Sequence, residues 1–220
     1  VDSQAVALEG KTYDDAYGLR TSAGSIVVGP NTKTTITVNE SRGTAYGVVA
    51  SGTDSKTKIA GDTSVTVAGN TAAYALFADD GGTIAVGSSG KAVSLTALGE
   101  KGVGIGMSDG ASNAGTTVTL DGDTTISAAN VFSGKGIIEN SGNLTLHGSA
   151  SQFTGQFAQT AGTTAMDTAD FGGIVCINGG ALNVAKTLDL SKESNFTVNN
   201  SGSLNVAAGG STTFGQGFLT

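Results

Sequence analysis

The sequence predicts an all-β solenoid, a parallel β-helix with three short strands per coil, and three observations carry that prediction. Apolar residues alternate with polar ones along most of the chain, short glycine-containing corners return at near-regular intervals, and proline is almost absent. The clearest repeat is Asn140-Ser141-Gly142-Asn143-Leu144-Thr145-Leu146, which returns as Asn200-Ser201-Gly202-Ser203-Leu204-Asn205-Val206. Between them lie the looser echoes Ala161-Gly162-Thr163-Thr164-Ala165-Met166 and Gly179-Gly180-Ala181-Leu182-Asn183-Val184, so glycine recurs at 142, 162, 180 and 202. Each copy is a corner followed by apolar residues at alternate positions, the pattern of a short strand with one buried face.

Composition sets the bounds. The chain has 220 residues with 38% hydrophobic residues, enough for a sizeable core. Its 35 Gly against 1 Pro favour many tight turns, while Thr, Val and Ile suit pleated positions. A net charge of −7, with 11 Lys and Arg that nowhere cluster with aromatics, argues against a nucleic-acid partner. The single cysteine, Cys176, excludes an intramolecular disulfide and a multi-cysteine metal site, and is compatible with passage through an oxidising compartment. No apolar run reaches membrane-spanning length, so this segment is not expected to insert in a membrane, and no leader opens it at Val1-Asp2-Ser3, so any secretion signal is expected to have been removed.

In chain order, residues 1–15 are the least patterned and read as an opening or capping segment. Residues 16–136 hold longer repeats, announced by Ala16-Tyr17-Gly18-Leu19, Ala45-Tyr46-Gly47-Val48 and Ala73-Tyr74-Ala75-Leu76, with a fainter fourth at Val103-Gly104-Ile105-Gly106-Met107. Small-residue corners follow at Ser22-Ala23-Gly24, Ser51-Gly52, Asp80-Gly81-Gly82 and Asp109-Gly110. Then come alternating strands, such as Ile36 with Val38, Val65 with Val67 and Val93 with Leu95. In residues 137–220 the repeat shortens to about twenty, but the alternation continues through Leu144 and Leu146, Leu182 and Val184, Leu188 and Leu190, and Phe196 and Val198. No stretch shows helical apolar spacing with a cap. The two regions form one continuous solenoid.

An antiparallel sandwich also fits alternation, but gives no reason to repeat the same six residues every twenty. In a parallel β-helix like positions lie above one another at about 4.8 Å, so repeated corners are expected. Coils of 20 to 30 residues give eight or nine coils and a rod on the order of 40 Å long at that strand spacing. The pattern stops in mid-repeat at Phe214-Gly215-Gln216-Gly217-Phe218, which suggests a piece of a longer solenoid.

Gly142-Asn143-Leu144-Thr145-Leu146-His147-Gly148, Phe153-Thr154-Gly155 and Ala161-Gly162-Thr163 together resemble the repeat of autotransporter passenger domains, which runs Gly-x-Leu-Thr-Leu-x-Gly, aromatic-Thr-Gly, Gly-Thr-Leu. The match covers Asn140 to Met166, and Gly180 to Val206 more loosely, with Ala165 read at a position where the family often has Leu. The resemblance implies a right-handed parallel β-helix exported across the outer membrane of a Gram-negative bacterium by the protein's own C-terminal β-barrel. Such passengers are mostly adhesins.

The chemistry-bearing residues read mainly as surface features. Gly106-Met107-Ser108-Asp109-Gly110 has the letters of a nucleophile elbow, but no helix follows and the sole imidazole, His147, lies coils away. His147 is expected to point outward without a second imidazole to share a metal. Cys176, in the run Gly173-Ile174-Val175-Cys176-Ile177, is expected to be a small buried hydrophobe. Asp79-Asp80-Gly81-Gly82 and Asp121-Gly122-Asp123 are the acidic clusters; calcium or carboxylate catalysis is open to them, yet Asp and Gly at turns need neither. No catalytic residue, cofactor or metal ligand is assigned.

The expected function is therefore that of a non-catalytic, surface-displayed or secreted passenger segment, an adhesin or stalk binding a cell-surface glycan or protein through its outer faces. The alternative is a polysaccharide-acting lyase or hydrolase, which would need a groove of stacked acidic, basic or aromatic side chains on one face. Arg20, Arg42 and scattered Lys are the basic residues available. A phage-tail or matrix fibre shares the fold but requires trimer-forming segments.

Overall fold

A computed structural model describes residues 3–9, 15–108, 115–191, 195–199 and 201–214. Gly10-Lys11-Thr12, Tyr13 and Asp14, the corner Asp109-Gly110, Asn200 and the closing Gly215–Phe218 lie outside the described residues, as do the side chains of 3–9, Leu190 and Phe214. Every strand pairing is parallel. The chain forms a parallel β-helix, as the repeats predict.

After β1 (Ser3–Glu9), the first coil comprises β2 (Ala16–Thr21), β3 (Gly24–Val28) and β4 (Thr34–Glu40). The second is β5 (Thr44–Ser51), β6 (Ser55–Ile59) and β7 (Thr63–Gly69), and the third β8 (Ala72–Asp79), β9 (Thr83–Val86) and β10 (Ala92–Leu98). The fourth adds β11 (Gly102–Ser108), β12 (Thr117–Leu120) and the start of β13 (Asp123–Gly134). Shorter coils follow: β14 (Ile137–Asn140), β15 (Leu144–Ser149), β16 (Gln152–Phe153), β17 (Gln156–Gln159) and β18 (Thr163–Ala169). The rest runs β19 (Ile174–Ile177), β20 (Gly180–Leu190), β21 (Asn195–Val198), β22 (Gly202–Val206) and β23 (Ser211–Phe214).

Three faces result. The first strands of the coils stack β2-β5-β8-β11 onto the second half of β13, whereas the third strands stack β1-β4-β7-β10 onto its first half. The second strands make an 8-stranded sheet of their own, β3 through β21, one strand per coil. Both β13 and β20 run from the third face to the first without a break, which joins those faces into one 15-stranded sheet.

Like residues stack as the repeats demand. Tyr17 pairs with Tyr46, Tyr46 with Tyr74, and Gly180 with Gly202. A Cβ on Gly162 would collide with the Gly142 carbonyl, and one on Gly180 with that of Gly162. Successive corners touch backbone to backbone, and only glycine permits that approach. The register corrects one alignment: Leu144 pairs with Thr164, which pairs with Leu182, so Thr164 takes the position of Leu and Ala165 faces outward beside Thr145.

The interior is filled by stacked side chains. Ile36, Val65, Leu95, Ile126, Leu146, Met166 and Val184 follow one another in register, all buried. Leu144 and Leu146 lie inside as expected; Leu204 and Val206 pack on the core from the same ranks but are half-buried, since no described coil lies beyond them. Where the coils shorten, fewer residues point inward and larger ones compensate. Phe132, Phe153, Phe157 and Phe171 are each almost wholly buried, with Phe157 5.8 Å from Phe132 and 5.3 Å from Phe171 between ring centres.

One interior rank turns polar. Between Leu120 and Ile177 stand Asn140 and Gln159. Asn140 Nδ2 donates to the Gly142 carbonyl at 2.9 Å and to Gln159 Oε1 at 2.9 Å, and the Thr164 hydroxyl also donates to Gln159 Oε1. Several threonines are buried too, among them Thr21 and Thr57, whose hydroxyls lie 2.7 Å apart.

Candidate binding surfaces

The tyrosine repeat becomes an aromatic ladder on the outside of the first face. Tyr17 and Tyr46 stack with centroids 5.0 Å apart and Tyr46 and Tyr74 at 5.3 Å, with planes within 10° of parallel. Phe77, outward one row on, tilts against Tyr46 and Tyr74. Above Tyr17 the Arg20 guanidinium lies 4.6 Å from the ring centre, a cation–π contact. Below Tyr74, Gly106 leaves the ring its space, because a Cβ there would sit 2.5 Å from it.

The faces of these rings are thus occupied by one another, by Arg20 and by the coil below. A sugar ring, which needs a bare aromatic face, cannot stack there. What remains outward is a row of ring edges and hydroxyls. The Tyr46 hydroxyl is pushed up to about 12, chiefly by burial and then by the carboxylate of Asp15 and the neighbouring Tyr17 and Tyr74. Asp15 accepts from the Thr44 backbone N–H at 3.1 Å and from the Tyr17 hydroxyl at 3.4 Å, tying the ladder to the second coil.

An open groove of about 750 Å³ follows the corner between the second and third faces. Val27, Pro30, Lys58, Ser88 and Ser89 line it, with both acidic candidates Asp121 and Asp123. Asp121 accepts from the Ser141 hydroxyl at 2.7 Å, and Asp123 from Asn143 Nδ2 at 2.9 Å; Asn143 Oδ1 in turn accepts from Thr163 at 3.1 Å. These carboxylates pin one corner to the next. Asp79 accepts from Ser51 at 3.4 Å, and Asp80 takes the positive φ of 48° at its turn. Among the described residues no group of three His, Cys, Asp or Glu could share a metal ion.

The other sequence candidates fall on three separate faces. Ser108 ends β11 on the first face, and its carbonyl accepts from the Asp80 N–H at 2.8 Å and the Thr116 hydroxyl at 3.0 Å, so it serves the corner the repeat assigned it. His147 is exposed on β15 of the third face, as expected. On the next coil, Asp167 is held below the usual carboxylate range by the hydrogen bond and charge of Lys186, with a smaller contribution from His147. Cys176 is a correction: Val175 and Ile177 point inward, which turns Cys176 outward and leaves it half-exposed on β19. The alternation of a four-residue strand, not the apolarity of the run, decided its side.

The outer side of the third face is different from the rest. One rank runs from Thr35 through Ser64, Ser94 and Thr125 to Thr145, in direct strand register. A parallel rank runs from Thr37 through Thr66, Thr96 and Ser127 to His147. Alternation alone could not show that these hydroxyls align in two ranks. A second, shallower groove of about 380 Å³ continues this face past His147, over Asp167, Asn183 and Asn205. No family model, curated protein or solved structure matches the chain.

Proposed function

We propose that this chain is a non-catalytic segment of a surface-displayed or secreted passenger-type β-helix, an adhesin or stalk that binds glycan or protein along its outer faces. The observation that carries the reading is the filled interior. Among the described residues, stacked Val, Ile, Leu and Phe fill the interior, so contact belongs to the long polar sides and corner grooves. The repeat motifs, the low charge and the single cysteine support export through the outer membrane of a Gram-negative bacterium by a C-terminal β-barrel beyond these residues. Contacts of this kind are individually weak and gain strength from number.

The test compares binding of the lone chain and of the chain clustered on beads to cell-surface polysaccharides and proteins. Clustering raises apparent affinity by orders of magnitude if the reading holds. Ser108→Ala, His147→Ala and Cys176→Ala leave both folding and binding unchanged. Tight one-to-one capture of a small molecule, or polysaccharide cleavage lost on Asp121→Asn or Asp123→Asn, overturns it in favour of the enzyme.

A further inference from the structure

We propose that the hydroxyl grid on the third face binds ice. Its composition is one-sided. Over the five strands from β4 to β15 every position of the two ranks except His147 is Ser or Thr, and none carries a fixed charge, in a chain with 11 basic and 18 acidic residues; beyond Thr145 the first rank passes to Ala165, Asn183 and Asn205. Among the described residues, none of these hydroxyls takes a protein hydrogen-bond partner. Corner hydroxyls behave otherwise: Thr63 donates to Gly61 at 3.0 Å, Ser88 to Ala60 at 2.7 Å and Thr160 to Asn140 at 3.1 Å. The grid's donors and acceptors are left for something outside the protein.

Geometry specifies what that is. Strand spacing fixes the repeat across the coils at about 4.8 Å, and alternate residues repeat along each strand at about 6.6 Å. Five strands therefore hold an array about 19 Å long across the coils. Six of the nine hydroxyls belong to threonine, whose χ1 is stiff, so those hydroxyls and methyls keep their place, whereas Ser64, Ser94 and Ser127 rotate more freely. A partner that meets all positions at once must be neutral, rich in oxygen and periodic in two directions.

A dissolved glycan chain fits poorly, because each hydroxyl contact replaces an equivalent one with water and no aromatic face or charge lies within the grid to add to it. Solid water asks for the same exchange but offers oxygens already held at fixed repeats. A lone hydroxyl cannot tell ice from liquid, but ranks of them at fixed repeats hold many water oxygens in a pattern that only the solid keeps. Selectivity then comes from the number of simultaneous contacts. This inference rests on the grid alone, independently of glycan or protein binding elsewhere on the rod.

The experiment grows ice slowly from a solution of the fluorescently labelled chain and measures its concentration in the ice relative to an inert protein of similar size. The chain is expected to be enriched several-fold and to slow recrystallisation of fine-grained ice. Thr66→Tyr with Thr96→Tyr, which blocks the centre of the grid from an outward position, should lower enrichment to the inert level. Thr119→Tyr, outward on the second face, should retain it. Circular dichroism establishes that each variant is folded; Thr37→Lys supplies a second grid variant, with a charge in place of bulk. Exclusion of the parent chain from ice, or equal enrichment of parent and folded grid variants, overturns the proposal.

Discussion

Replacing Phe157 by alanine tests how the short coils are held together. Phe157 is fully buried and lies between Phe132 and Phe171, at 5.8 and 5.3 Å. Truncation removes a whole ring from a rank with little freedom to collapse, since its neighbours are fixed by strand register above and below. The expected loss is about 3–5 kcal/mol, the range for deleting a buried aromatic with its cavity. That is a large part of the 5–15 kcal/mol typical of a folded domain. Phe196 occupies the same rank two coils on but is only half-buried, so Phe196→Ala should cost roughly half as much by transferred area. Urea unfolding followed by far-UV circular dichroism measures both, with the midpoint falling while the slope stays that of the parent. A Phe157→Ala loss below about 1 kcal/mol, or one no larger than that of Phe196→Ala, would mean that the ring is not packed in a rigid interior and would refute the reasoning.

Other substitutions probe other links. Leu144→Asp places an unpaired charge in the core and should cost several kcal/mol; a melting temperature within a degree or two of the parent contradicts the inward assignment. Asn140→Ala removes the donor to Gly142 and Gln159 and should cost about 1–3 kcal/mol in denaturant titrations. Gly47→Ala sets a methyl 2.5 Å from the Ala75 carbonyl and against Val65, so the same titrations should show a loss of about 1–3 kcal/mol. For Tyr46 the folded value near 12 exceeds the ordinary 10.0, so the native state holds its proton longer than the unfolded chain. Stability is therefore flat below pH 10 and falls between pH 10 and 12, a fall that Tyr46→Phe should reduce in melting curves taken across that window.

The coil was legible in the sequence because stacking makes a spatial neighbour a sequence period. The spacing of Tyr17, Tyr46 and Tyr74, and of Gly162, Gly180 and Gly202, is the length of a coil. What alternation cannot tell is which of two alternating sets faces in when both are small and weakly polar. Thr57, Thr63 and Thr124 are buried while Thr66 and Thr96 are not, and the difference lies in the apolar residue on the partner strand rather than in threonine itself. Cys176 went to the wrong side for the opposite reason, since in Ile174-Val175-Cys176-Ile177 both alternating sets are apolar. The phenylalanine cluster was hidden for another reason, since Phe132, Phe153, Phe157 and Phe171 come from different positions in their coils and converge only inside. For the surface, residue types were readable but their alignment was not. A row of hydroxyls exists only once the register is known.

The continuous strands β13 and β20 have a consequence for where such a rod can be cut. At most coil edges the chain leaves the sheet in a turn, and turn tips are where proteases cut and where insertions are tolerated. At the junction of third and first faces, β13 and β20 bend within one strand, with a register shift but no turn, so those coils present no loop on that edge, whereas the earlier coils turn there at 41–43, 70–71 and 99–101. In those coils nicking and grafted segments are thereby directed to the other two edges. At those two coils the edge is like a seam welded shut, while variation and damage gather along the corners that the Asp121–Ser141 and Asp123–Asn143 bonds already stitch together.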